Sequence, residues 1–401
     1  MQWLRLVERK MQLAPVAKDA NDLAVMLTGG GARAAYQVGQ LKSLARYFPH
    51  LRFPIITGVS AGAINAICLA ALEGTLSEKV EEMEQVWCSL ECHHVFHFNL
   101  RSLVPFRSAL STFFPQRRWS RPHGLLDTTP LAELLHRRFG TRPYQPIPSI
   151  ERNIRSGDVH AVGLMAVDYS TGQSVRWAQG RHVDVHEGPN RRSVDARLSV
   201  EHVMASAALP FIFSAVRISD RWYGDGGMRL AAPLSPAVHL GAARILAMST
   251  GYQRTPDEVS MPVVKGYPPA AQIMGQVVNS IFLDALDEDV ARMERMNHML
   301  RKIEPRDRNG FKPIDLLVLR PSQDLGKLAA EYERFLPRNL KLATRALGSR
   351  ETESPDVISL LMFEPNYMQR LIELGEMDVS SRLDEIRAFL GEGGAELAVT
   401  G

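Results

Sequence analysis

The chain has 401 residues, 45% of them hydrophobic, with three cysteines and 47 basic side chains against 44 acidic ones, a net charge of +3. A chain of this size and apolar content buries a large core, in one big domain or two or three ordinary ones, which excludes a disordered protein. The near-even charge gives a nucleic-acid partner no footing, three cysteines do not make a disulfide framework, and no run reaches the ~18 apolar residues of a membrane-spanning helix.

Residues 1–20 read as an N-terminal arm, with Trp3, Leu4, Leu6, Val7 and Met11 forming one short amphipathic patch that suits packing better than anchoring. Arg5, Glu8, Arg9 and Lys10 interrupt any apolar leader, so a cytoplasmic location is expected. Leu23 to Leu27 then forms a short apolar run ending in Gly29-Gly30-Gly31-Ala32-Arg33, and Ala34 to Tyr47 carries helical periodicity. Pro54 to Val59 repeats the pattern, ending in Gly58-Val59-Ser60-Ala61-Gly62 with a helix from Ala61 to Leu72. Two successive strand-to-helix units predict an α/β fold with a mostly parallel sheet. Further strands are expected at His160 to Val167, Ala215 to Tyr223, Arg244 to Ser249 and Asp315 to Leu319. Helices are expected at Pro130 to Arg138, Glu201 to Ala207 and Ile281 to Lys302. From residue 323 onward the pattern is helical, over Leu325 to Leu347 and Met362 to Phe389, and defines a C-terminal helical region, 323–401.

The G-x-S-x-G pattern sets Ser60 on a sharp strand-to-helix turn, where Gly58 and Gly62 keep Cβ atoms out of the way. The first-turn amides after Ser60 lack intrahelical partners and favour a developing negative charge. An ordinary turn produces the same pentapeptide, so the glycines at 29–31 carry extra weight: consecutive residues without Cβ atoms let several amides converge on one anion. The same run matches a dinucleotide-binding loop, G-x-G-x-x-A. That reading needs an acidic residue ~20 positions on to hold the ribose, and none occurs between Asp22 and Glu73.

A serine nucleophile needs a base. Beyond position 225 only His239 and His298 could complete a Ser-acid-His order, and both fall within helical periodicity. Here the residues resemble the patatin-like phospholipases, lipid acyl hydrolases with a Ser-Asp dyad and no histidine. The resemblance covers about 21–322 through four motifs in family order: Gly29 to Arg33, Gly58 to Gly62, Ala205-Ser206-Ala207-Ala208-Leu209-Pro210-Phe211, and Asp225-Gly226-Gly227. It implies a three-layer α/β sandwich with Ser60 as nucleophile and Asp225 as proton acceptor. It further implies an oxyanion hole over Gly29, Gly30, Gly31, Ala32 and Arg33, a lipid or lysolipid substrate, and no metal or organic cofactor. Without it, Asp-Gly-Gly reads as a hairpin turn. The chain departs from the family pattern twice. Ala34 replaces a glycine and is expected to narrow the entrance, and Leu230-Ala231-Ala232-Pro233 lacks the asparagine that precedes the proline. A general carboxylesterase or thioesterase, or a silent lipid-binding protein, would use the same residues.

An insertion is expected at about 92–126. It carries Arg101, Arg107, Arg117, Arg118 and Arg121 among Phe106, Phe113, Phe114 and Trp119, with no acidic residue between Cys92 and Leu126. This mixture suits either transient contact with a membrane surface, Arg117, Arg118 and Trp119 foremost, or an ordinary solvated insertion. Cys88, Cys92, His93 and His97 lack a second paired element for a closed metal site, and Asp284, Asp287, Glu288 and Asp289 lack a calcium loop's spacing, reading as a solvated helix face.

Overall fold

Five strands set side by side and in parallel bring the chain's glycine-rich turns to one edge of a sheet. The structure, a computed structural model, describes residues 22–98, 124–181, 183–259, 284–337 and 356–391, with single positions 273, 276 and 341. Strands β1 (Leu23–Leu27) and β2 (Ile55–Val59) are buried along their whole length, as their apolar runs require. Alternate β1 side chains enter two cores: Leu23, Val25 and Leu27 the larger one, Ala24 and Met26 a smaller one across the sheet. That division makes the molecule three-layered.

Two short strands, β3 (His97–Phe98) and β4 (Leu126–Asp127), pair antiparallel at the ends of the expected insertion. The basic and aromatic positions between them, Arg117, Arg118 and Trp119 included, lie outside the described residues. The sheet continues with β5 (Ala161–Asp168), β6 (Ser174–Gly180), β7 (His186–Glu187), β8 (Arg191–Asp195), β9 (Val216–Ile218), β10 (Arg221–Asp225), β11 (Arg244–Met248) and β12 (Asp315–Leu319). Its order is β12-β11-β1-β2-β5-β6-β8-β7, with β10 against β5 and β9 against β10. From β12 to β5 all pairs are parallel, whereas β6 and β10 run antiparallel to β5.

Helices α1 (Ala35–Tyr47), α2 (Ala61–Ala71), α3 (Leu76–Ser89), α4 (Thr129–Phe139), α5 (Pro148–Ser156), α6 (Val200–Ser206), α7 (Asp284–Arg301), α8 (Asp356–Leu361), α9 (Pro365–Ser380) and α10 (Leu383–Leu390) cover the sheet. Among the described residues no helix is long and apolar enough to cross a membrane. The expected strand over Ala215 to Tyr223 is a hairpin of β9 and β10, because Ser219 takes φ 56° and turns the chain. The helix expected from Leu325 stops at Ala330, and the one over Met362 to Phe389 breaks between Ser380 and Leu383.

The C-terminal helices pack on the first strand-to-helix unit. Helix α9 lies across α1 so closely that a methyl at Gly39 would strike the Ile372 carbonyl, and one at Gly375 the Tyr36 carbonyl. Tyr36 Oη donates to Asp378 Oδ2 at 2.8 Å, and the same oxygen accepts the Ser322 amide at 2.9 Å. Glu376 binds Lys42 and Arg46, each at 2.8 Å. A Gly39→Ala variant is expected to lose about 1–3 kcal/mol of stability through overpacking, read as a lowered urea midpoint at constant slope.

Candidate active site

Register explains how distant residues meet. Leu27 pairs with Gly58, so the turns that follow β1 and β2 emerge side by side. Val59 pairs with Met165, and Asp225 faces the next residue of β5, Ala166, so the end of β10 arrives one strand away from the elbow. Asp168, buried at the end of β5, fastens this arrangement by pairing with Arg221 at 2.9 Å and Arg192 at 3.6 Å. Burial alone would raise its proton affinity, but Arg221 and the Ser170 amide outweigh that and hold it below the usual value.

Ser60 adopts φ 56° and ψ −133°, a strained conformation for a residue with a side chain. It occupies the N-cap of α2 yet makes no side-chain capping bond, so its hydroxyl is not spent on the helix. The turn is tight: a methyl at Gly58 would strike the Gly62 carbonyl, and one at Gly62 the carbonyls of Leu27 and Thr28. One at Gly29 would sit 2.8 Å from the Ser60 Cβ, which brings the glycine loop directly against the serine.

Gly30 at φ 149° and Gly31 at φ 55° turn that loop into a short 3-10 helix, Gly31–Ala34. Among the described backbone hydrogen bonds none uses the amides of Gly29, Gly30 or Gly31 as donors. The Arg33 amide is engaged, donating to the Gly30 carbonyl at 3.0 Å. The Arg33 side chain is buried, with Nε donating to Ser359 Oγ at 2.6 Å. The Arg33 amide and guanidinium are thus both engaged in holding the loop's shape, which leaves the amides of the residues before it as the potential anion donors. Thr250 adds support, its amide donating to Thr28 Oγ1 at 3.0 Å and its hydroxyl to the Gly29 carbonyl. Ala34 is fully buried with ordinary right-handed helical backbone, so its methyl fills core and does not narrow an entrance.

Asp225 is fully buried. Its Oδ1 accepts the Gly227 amide at 2.9 Å, while Oδ2 is enclosed without a formed hydrogen bond. Desolvation pushes its pKa up to about 7, against the lowering effects of the nearby Ser60 hydroxyl and the Gly227 amide. The Ser60 hydroxyl therefore lies close enough to the carboxyl to lower its proton affinity. Gly226 is required because a methyl there would strike the Met165 carbonyl. Among the described residues, the hydrogen bonds of Ser60 and Asp225 run to Ser206, Gly227 and Ala208 and not to histidine. His202, one turn before Ser206, is driven down to about 4 by burial and packs edge-on to Trp177.

Two supports escaped the sequence reading. The Ser60 amide donates to Ser206 Oγ at 3.1 Å, and the Asp225 amide donates to the Ala208 carbonyl at 3.1 Å, so one short segment holds both residues. The motif from Ala205 was legible as a pattern, but its bracing role was not. Asp289 is no solvated residue: it is buried and accepts the Leu234 amide at 2.9 Å, bracing the loop after Asp225 that lacks the family's asparagine. Of the Cys88, Cys92, His93 and His97 group, Cys92 Sγ is directed at the Phe363 carbonyl, 3.4 Å away, and His93 Nδ1 lies 3.2 Å from Glu91 Oε2.

A mixed α/β fold whose serine rides a strained strand-to-helix turn beside a glycine loop belongs to the class of ester hydrolases. The sequence profile of the patatin-like phospholipases matches residues 25–238, more than half the chain, and the chain belongs to that family of lipid hydrolases. No curated protein matches the sequence. Among solved structures, VipD from Legionella pneumophila matches with a TM-score of 0.35 and 10% identity, over 92% of this chain and 67% of that one. Human GIVD cytosolic phospholipase A2 matches with a TM-score of 0.41 and 12% identity, over 97% of this chain and 62% of that one. Its complex with methyl gamma-linolenyl fluorophosphonate matches with a TM-score of 0.42 and 13% identity. The chain thus spans less than two thirds of the human enzyme's length.

The raised Asp225 value has a consequence for stability. A buried carboxyl whose folded pKa of about 7 exceeds the unfolded value of ~3.9 favours the fold while protonated, and that contribution is lost as pH rises through about 7. Asp225→Asn is therefore expected to melt above the wild type at pH 8, with the gap closing as pH falls toward 4 in paired thermal scans.

Proposed function

We propose that the protein cleaves fatty-acyl esters of phospholipids or lysophospholipids through an acyl-enzyme, with Ser60 as nucleophile and Asp225 as the base. The observation that carries this reading is the pairing of an uncapped serine at φ 56° with a fully buried carboxyl whose proton affinity is set near neutrality. An ordinary carboxylate is too weak a base for a hydroxyl, and desolvation moves this one toward the pH at which it works.

Ser60 Oγ attacks the ester carbonyl carbon while its proton passes to Asp225. The carbonyl oxygen takes up the displaced electron pair and is stabilised by the amides of the Gly29 to Ala32 loop and the first turn of α2. As the tetrahedral adduct collapses, the alcohol leaves with the proton held by Asp225. Water then attacks the acyl-enzyme, giving a proton to Asp225, and collapse returns the fatty acid and the free Ser60 hydroxyl. Arg33 acts through the loop and touches no reacting atom.

The test is phospholipid hydrolysis read by mass spectrometry. Ser60→Ala is expected to abolish turnover, and Asp225→Asn to lower it by ~10²–10⁴; full activity in either variant refutes the dyad. In the wild type, log kcat/KM is expected to rise with unit slope below pH 7 and level off above it, since only the ionised Asp225 accepts the proton.

Work on lipid also calls for a surface that meets the bilayer, and the basic, aromatic segment containing Arg117, Arg118 and Trp119 is the proposed one. Replacing these three is expected to weaken binding to anionic vesicles by a larger factor than it slows a monomeric soluble ester. Equal losses would assign the segment a folding role instead.

A further inference from the structure

Helix α2 carries more than the nucleophile's turn. Ala61, Ile64, Cys68 and Leu72 recur at helical spacing from the residue next to Ser60, and all four line one cavity. The facing wall is built from Met83 and Trp87 of α3 and Leu131 and Leu135 of α4. The lining is apolar except where Glu82 and Arg138 approach from α3 and α4, and these two form an ion pair that joins the helices across the cavity. Desolvation raises the Cys68 thiol to about 12.

The dimensions suit one kind of occupant. At ~1.5 Å per residue, Ala61 to Leu72 spans ~16 Å. One leaflet, half of the ~30 Å hydrocarbon core of a bilayer, is ~15 Å deep. The cavity holds about 70 Å³, well below the ~150 Å³ that takes up a benzene ring, so a long chain enters only as α3 and α4 part. The Glu82–Arg138 pair is partly exposed, at 39% and 32%, and such pairs hold weakly, so this strap yields readily.

We infer that the cavity along α2 receives the fatty-acyl chain of the substrate, with Ala61 at the carbonyl end, Leu72 toward the methyl end and Glu82–Arg138 as a strap across it. This rests on Ser60 as the nucleophile, because only then does the acyl carbonyl sit at the start of α2. Chain-length preference then resides in α2, α3 and α4, with Cys68, two turns from Ser60, set midway along the groove to meter it.

The experiment compares the rates at which a short-chain and a hexadecyl fluorophosphonate label Ser60 in the full-length protein. In Cys68→Phe the long-to-short rate ratio is expected to fall about tenfold or more, as an added ring blocks the groove. In Met83→Ala the ratio is expected to rise. An unchanged ratio in Met83→Ala, and in Cys68→Phe wherever near-ultraviolet circular dichroism shows it folded, overturns the inference. Folded wild type that neither probe labels sinks the nucleophile reading itself, a result distinct from labelling that ignores chain length.

Discussion

The parallel ladder joining β1, β2 and β5 is the constraint on which the site depends. A one-residue slip between β1 and β2 would exchange the side chains that face each core, and Leu27 would no longer align with Gly58. The glycine loop would then lose its approach to Ser60, an approach so close that even a methyl at Gly29 is excluded. Burial on both faces thus positions the chemistry as well as stabilising the fold. The same register carries over to β5, where Met165 and Ala166 relate the elbow to Asp225.

As the proposed base, Asp225 has two requirements that conflict in an ordinary protein. It must be buried enough to hold a proton near neutrality, and it must be reached by a hydroxyl that can give one. The fold leaves Oδ2 enclosed but unbonded while the Gly227 amide occupies Oδ1. An enclosed oxygen without a partner costs stability, a cost that the large shared core of α1, α2, α9 and the sheet absorbs.

Much of this was legible in the sequence because local rules and the fold agree there. The runs at 23–27 and 55–59, the turns that end them, and the helices that follow each carry a period, a breaker or a tight-turn glycine. What sequence could not show are contacts whose partners are chosen by tertiary packing. Ser206 looks like any small residue in an alanine-rich stretch, and its hydroxyl acquires meaning only when β2 brings the Ser60 amide to 3.1 Å. Asp289 belongs to an acidic run whose pattern reads as solvated, and its burial follows from the docking of α7 beside Leu234. β6 and β8 went unread because Ser174 to Gly180 and Arg191 to Asp195 mix polar with apolar residues, and their pairing partners supply the order their own patterns lack.

Arg33 ties a loop near the start of the chain to Ser359, and the Leu360 carbonyl backs Gly31 from the same segment. The separation in sequence is 326 residues. During synthesis, β1, the elbow and Asp225 all leave the ribosome long before that backing exists. A nascent chain can fold its sheet and still lack the rear wall of its glycine loop. The order of translation therefore delays completion of the loop until Ser359 and Leu360 have been made.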